Sequence, residues 1–123
     1  MPDAQPSPGL TGRRVLVVED DYLIADALCR ELEDAGAEVV GPAPDVAAAL
    51  ALLAAEGAIN GAVLDVNLGG EMAWPVAEAL LAHGVPFAFT TGYDASSIPA
   101  RYARVARCEK PVGLAEIARA LDG

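Results

Sequence analysis

A chain of 123 residues that is 54% hydrophobic has the length of one domain and enough apolar side chains for one core without disulfides or a structural metal. Its 18 acidic residues against 8 basic ones give a formal charge of −10 with no basic run, which argues against nucleic acid and anionic membrane as partners. The N-terminus lacks a charged start followed by an apolar stretch, and no segment approaches about 18 unbroken apolar residues, so a soluble, cytoplasmic protein is expected.

Residues 1–12 carry Pro2, Pro6, Pro8, Gly9 and Gly12 with little to bury, which predicts a flexible leader and a single domain over 13–123. From Arg13 onward, short β-branched runs alternate with longer Ala/Leu-rich stretches, the pattern of five βα units. Strands are predicted over 13–18, 38–40, 61–65, 87–91 and 105–109. Val15 to Val18 and Ala62 to Leu64 are unbroken apolar runs, as expected for central strands covered on both faces. The first helix is expected over 22–35, with Ile24, Ala27, Leu28 and Glu31 along one track and Gly36 as its stop. Asp45 is the candidate cap of the second helix, whose Val46, Ala49, Leu50 and Leu53 fall at helical spacing. The third ends near His83 and Gly84. A brief, poorly amphipathic fourth is expected over 100–105 after Ser97 and Pro99. Leu114, Ile117, Ala118 and Leu121 give the fifth its apolar stripe. The fold class is α/β, a doubly wound five-stranded parallel sheet flanked by helices. Cys29 and Cys108 lack metal-ligand spacing and read as small buried hydrophobes in a reducing compartment.

Glu19 and Asp20 follow the first strand, Asp65 ends the third and Lys110 follows the fifth, at intervals of about 45 residues that fit the carboxyl edge of one parallel sheet. Carboxylates gathered there repel one another and are tolerable only beside a cation or at a wet rim. Mg²⁺ is the hard, oxygen-seeking ion that suits such a site. The lysine adds a second positive charge, and Thr90 and Thr91 supply neutral donors at the mouth. Carboxylate, metal, amine and hydroxyl together make a cradle for a phosphoryl group.

The segments VLVVEDD (15–21), VLD (63–65), FTTGY (89–93) and EKP (109–111), in that order, resemble the receiver domain of bacterial response regulators over roughly residues 13 to 121. FTTGY, with Ile98-Pro99 after it, is further similar to a subgroup of stand-alone receivers with a FATGY signature, in which alanine stands where this chain has Thr90. The resemblance implies the flavodoxin-like (βα)5 topology with strand order 2-1-3-4-5. It also implies Asp65 as the phosphoacceptor, Asp20 as a direct Mg²⁺ ligand, Glu19 as a ligand through water and Asn67 as a backbone carbonyl ligand. Lys110 would pair with Asp65 or its phosphate, and Thr91 would swing its hydroxyl onto a phosphoryl oxygen. Tyr93 and Asn67 occupy positions that set the lifetime of the acyl phosphate. The implied partners are a histidine kinase or phosphotransfer protein and an unknown downstream protein. Beyond its own phosphorylation and dephosphorylation, no enzymatic activity is expected.

Two departures stand out. The position at which such receivers carry a rotating Tyr or Phe, counted back from Lys110, holds Arg107, and the usual KPF is Lys110-Pro111-Val112. Arg101, Arg104 and Arg107 read as solvated and as candidates for meeting an acidic partner, and Trp74 reads as a helix-surface or partner contact. His83, beside Gly84, fits a helix C-terminus better than catalysis. The rival functions are a non-phosphorylated binding module of the same fold and a metal-dependent phosphatase. The second would need a general acid or base that His83 is badly placed to supply.

Overall fold

The computed structural model describes residues 10–92, 98–110 and 112–122. In chain order these form β1 (Arg14–Val18), α1 (Tyr22–Asp34), β2 (Glu38–Ala43), α2 (Val46–Ala55), β3 (Gly61–Asp65), β4 (Asn67–Leu68), β5 (Glu71–Met72), α3 (Trp74–Ala82), β6 (Phe87–Thr91), a 3₁₀ turn (Ala100–Tyr102), β7 (Ala106–Glu109) and α4 (Leu114–Asp122). The main sheet is parallel with order β2-β1-β3-β6-β7, which is 2-1-3-4-5 when its five strands alone are counted. This is the expected flavodoxin-like, doubly wound arrangement.

Alternation along the strands divides the core into two layers. Val15, Val17 and Val63 pack with Leu28 and Leu32 of α1 and with Ile117 and Leu121 of α4. Leu16, Val18, Leu64 and Phe89 face the other way, onto Val46 and Ala49 of α2 and Val76 and Leu80 of α3. With β1, β3 and β6 so covered, their apolar runs have no polar face to show. Asp21 caps α1 through the amides of Leu23 and Ile24, and Asp45 caps α2 at 2.8 Å from Ala48 N. Among the described residues no helix is long and apolar enough to cross a membrane.

Several boundaries differ from those expected. The fold begins before Arg13, because Leu10 is fully buried against the α1/α4 layer and the Gly12 amide bonds Gly36 O at 2.8 Å. The inward face of α1 is Ala25, Leu28, Cys29 and Leu32, one step round from the predicted track, which leaves Ile24 substantially exposed. β2 runs three residues past Val40, through Gly41 and Pro42. It is an outer strand pairing only with β1, where a proline costs no ladder bond on the open side. Gly41 has φ +102°, and a Cβ there would lie 2.9 Å from Ala43 N. β4 and β5 form an unpredicted antiparallel hairpin around Gly69 and Gly70, both at positive φ as a two-residue turn requires. In the fourth crossover the described residues contain only the 3₁₀ turn; the candidate cap Ser97 lies outside them.

Candidate functional site

The parallel registers bring the strand ends level. Asp65 pairs with Thr90 and Thr91 with Glu109, so the residues just past β1, β3 and β7 meet on one edge. The Glu19 amide donates to Ala43 O at 3.0 Å, which fixes the exit of β1. Carboxylate oxygens of Glu19, Asp20 and Asp65 then lie within 4.8 Å of one another. Lys110 Nζ bridges the two inner ones, 2.9 Å from Asp65 Oδ2 and 3.1 Å from Glu19 Oε1. Glu19 and Asp65 are only 4% and 5% exposed, whereas Asp20 stands at the rim in solvent.

Burial of this kind acts on charge. Desolvation, with the neighbouring Asp65 adding to it, lifts the Glu19 carboxyl to about 7, against the opposing pull of the Asp21 amide and of Lys110. Burial would depress Lys110, but its bonds to Asp65 and Glu19 outweigh that and hold the ammonium above its ordinary value. The cluster is thus a set of acids held together by one cation and short of positive charge. That donor set, three carboxylates on hard oxygen atoms, fits a divalent ion such as Mg²⁺.

The cluster forms the floor of an open cleft of ≈ 710 Å³, walled by Asn67, Gly69 and Gly70 on one side and by Thr91 and Lys110 on the other. Asn67 is tied into the loop at both ends: its amide donates to Asp65 Oδ1 at 3.3 Å and its side-chain Oδ1 accepts from Gly70 N at 2.6 Å. The hairpin therefore builds one wall directly off the Asp65 carboxylate. A Cβ at Gly69 would sit 3.4 Å from Asp20 Oδ2, at φ +68°. Sequence reading passed over this pair of glycines, although a Gly-Gly step between short runs is a recognised hairpin signal.

Glu19, Asp20, Asp65, Asn67, Thr91 and Lys110 all line the cleft. Thr90 does not. Adjacent strand residues point to opposite faces, and Thr90 lines a separate apolar groove of ≈ 420 Å³ with Ile24, Leu28 and Val112. Tyr93 and Pro111 lie outside the described residues. Arg107 is exposed on β7, so the usual switch position carries a solvated cation. The aromatic side chains gather elsewhere: Trp74 stacks on Tyr102 at 5.4 Å and meets Phe89 edge-on at 5.8 Å. Trp74, expected as a helix-surface or partner contact, is half-buried and packs against the α3 layer of the core, because the fourth crossover sets the buried Tyr102 ring against it. Arg101 likewise is not simply solvated; it pairs with Glu78 at 3.2 Å and lies over the Tyr102 ring at 4.7 Å. His83 caps α3, its Nδ1 2.8 Å from Ala79 O, and takes no part in the cleft.

No protein-family model matches the chain, and no curated protein does. Among solved structures it is similar to the solution structure of SdrG from Sphingomonas melonis Fr1, with a TM-score of 0.72 at 39% identity, covering 92% of this chain and 95% of that one. The BeF3-activated conformation of SdrG from Pseudomonas melonis Fr1 matches at 39% identity and TM-score 0.64, over 89% of this chain and 92% of that one. The crystal structure of a response regulator receiver protein from Sinorhizobium medicae WSM419 shares the fold, with a TM-score of 0.75 at 21% identity over 93% and 98% of the two chains. With 39% identity sustained over nearly the full length of a relative, the chain belongs to the response-regulator receiver family.

Proposed function

We propose that the protein is a single-domain response regulator of a two-component phosphorelay, in which Asp65 accepts a phosphoryl group from a histidine kinase or phosphotransfer protein. The observation that carries this reading is Lys110 Nζ held between Asp65 and Glu19 at the floor of a cleft with three clustered carboxylates. Such a floor is pre-arranged for an incoming group rich in negative oxygen.

In the proposed step an Asp65 carboxylate oxygen attacks phosphorus on the donor's phosphohistidine. The new O–P bond forms as the P–N bond breaks, and the electron pair leaves with the imidazole nitrogen. Lys110, already on Asp65 Oδ2, moves its donor onto a phosphoryl oxygen. Thr91 lines the same cleft, and its hydroxyl gives a further donor whose engagement reports phosphorylation to β6 and β7. Glu19, Asp20, Asp65 and the Asn67 carbonyl are the groups that would hold Mg²⁺. When bound, the ion supplies positive charge that offsets the equatorial oxygens of the phosphoryl group during transfer.

The approach side is marked by apolar exposure. Tyr22 and Leu23 at the start of α1 are 79% and 76% exposed, and Ile24 beside them reaches the rim of the cleft. A donor helix docking there would cover them while presenting its histidine to Asp65. The buried free thiols of Cys29 and Cys108 suit a reducing cytoplasm.

Incubation with acetyl phosphate and Mg²⁺, followed by intact mass measurement, tests the reading. A gain of about 80 Da that is stable to acid, labile to base and lost in Asp65→Asn is expected. Steady phosphate release without an adduct would instead identify a phosphatase, and neither outcome would leave an inert binding module. SdrG has been solved in a BeF3-activated conformation; beryllofluoride with Mg²⁺ should likewise perturb the amides around Asp65 and Thr91 here.

A further inference from the structure

Helix α2 starts beside two carboxylates where one would cap it. Asp45 accepts from Ala48 N at 2.8 Å and fills the N-cap role by itself. Glu71, 25 positions along the chain from Val46, accepts from the Val46 amide at 3.4 Å, the first of the helix. It makes no ion pair among the described residues, and its charge is set instead against the positive end of the α2 dipole.

This bond joins elements that the main sheet leaves separate. β5, which carries Glu71, pairs only with β4, and the hairpin they form stands outside the five-stranded sheet. Strands of two residues joined through Gly69 and Gly70 hold weakly on their own, because such strands form few bonds and glycine has the most backbone freedom to lose. Leu68 roots the hairpin in the core, and Glu71 fastens its returning strand to α2. The other strand ends at the phosphoacceptor. The Asn67 amide donates to Asp65 Oδ1 at 3.3 Å, and Gly70 N holds the Asn67 side chain at 2.6 Å. Lys110 takes Asp65 Oδ2 at 2.9 Å, so one oxygen is oriented from β7 and the other from the hairpin. A hairpin free to drift would release Oδ1 and carry Asn67 away from the cleft it walls.

We propose that Glu71 is a positioning residue for the acceptor cleft: by fastening the hairpin to the start of α2 it keeps Asn67 on Asp65. The proposal rests on Asp65 being the phosphoacceptor, and it adds a residue six positions further along that touches neither donor nor metal.

Three variants of the full chain test it. Both Glu71→Ala and Asp45→Ala remove a carboxylate from the start of α2 and should lower the urea midpoint, whereas Glu71→Gln keeps the acceptor oxygen. In the metal-free protein, amide hydrogen exchange at Asn67 and Gly70 should speed up about fivefold in Glu71→Ala, the fold-change that losing one hydrogen bond of ordinary strength yields. Mg²⁺ affinity, followed by amide shifts at Asp65 and Asn67, should fall by a similar factor of about five. Glu71→Gln and Asp45→Ala should stay within about twofold of wild type in both readouts. The assignment is overturned if Glu71→Ala matches wild type in exchange and affinity, if Glu71→Gln is as impaired as Glu71→Ala, or if Asp45→Ala disturbs the cleft equally through fraying of α2. Should wild-type Asp65 take up no phosphoryl group, the functional reading fails separately, and exchange at Asn67 and Gly70 still decides whether Glu71 holds the hairpin.

Discussion

The acidic cleft and the aromatic cluster are both built around β6, yet they are held by opposite physics. In the cleft, side chains that repel one another are kept close by strand registers and one lysine, so the site is tense and poised for added positive charge. Behind it, Phe89, Trp74, Tyr102 and Phe87 meet ring to ring with centroids 5.4 to 5.8 Å apart, a contact that stabilises outright. One strand thus carries a functional group at its end and a structural anchor two residues earlier. What is good for the site costs the fold, and the cluster offsets it.

That contrast predicts a double dissociation. Phe89→Ala removes a fully buried ring and should cost about 4 kcal/mol in urea unfolding. The fraction that remains folded should still take up phosphate. Asp65→Asn should abolish uptake while leaving stability unchanged or slightly raised, since it removes one member of a repelling set. If Phe89→Ala lost phosphorylation with its fold intact, or Asp65→Asn unfolded the chain, the separation of roles would be wrong.

The two regions also differ in how far they could be read from residues alone. The cleft was legible because its parts follow strand ends: short apolar runs fix where Asp20 and Asp65 stand, the following Pro111 marks Lys110, and parallel pairing brings such ends level. The aromatic cluster was not. Trp74 and Tyr102 are 28 positions apart on segments with no periodic signal between them, and only the path of the fourth crossover stacks them. Leu10 escaped for a related reason, as a single apolar residue after three prolines has no local pattern to mark its burial. Pro42 hid the second half of β2, since a proline reads as a strand end unless the strand is known to lie at the sheet edge. On α1 the spacing gave the helix but not its rotation, and Ile24 was placed inward where Ala25 belongs.

A finer test lies in the two adjacent threonines. Thr91 lines the cleft and Thr90 the groove behind it. Thr91→Ala should slow phosphorylation by acetyl phosphate at least about tenfold, by removing the hydroxyl proposed above as a donor to the transferring oxygens. Thr90→Ala should leave the rate within about twofold, the alanine filling the position that the FATGY-type signature gives it. Equal effects would mean that the β6 terminus rotates during the reaction.

The smallest expected effect is on stability against pH, and here the two regions should pull in opposite directions. Glu19 has its carboxyl lifted from the ordinary 4.5 to about 7, chiefly by burial. Between those values the folded chain holds a proton that the unfolded chain has released, so raising the pH through this window disfavours folding. Glu78, beside the aromatic cluster, is shifted the other way by its bonds from Tyr102 and then Arg101. Its contribution is present above the ordinary carboxylate value and is lost as pH falls through the lowered one. Urea midpoints of the metal-free protein from acid to neutral pH, compared with Glu19→Gln and Glu78→Gln, separate the two. Glu19→Gln should gain on the wild type as pH rises toward 7, whereas Glu78→Gln should lose least at the acid end, where the wild-type carboxylate is itself protonated. Saturating Mg²⁺ should flatten the Glu19 difference by favouring its ionised form, and it should leave the Glu78 difference unchanged, because the acidic cluster lies at the carboxyl edge of the sheet and Glu78 bonds Tyr102 in the aromatic cluster away from that edge.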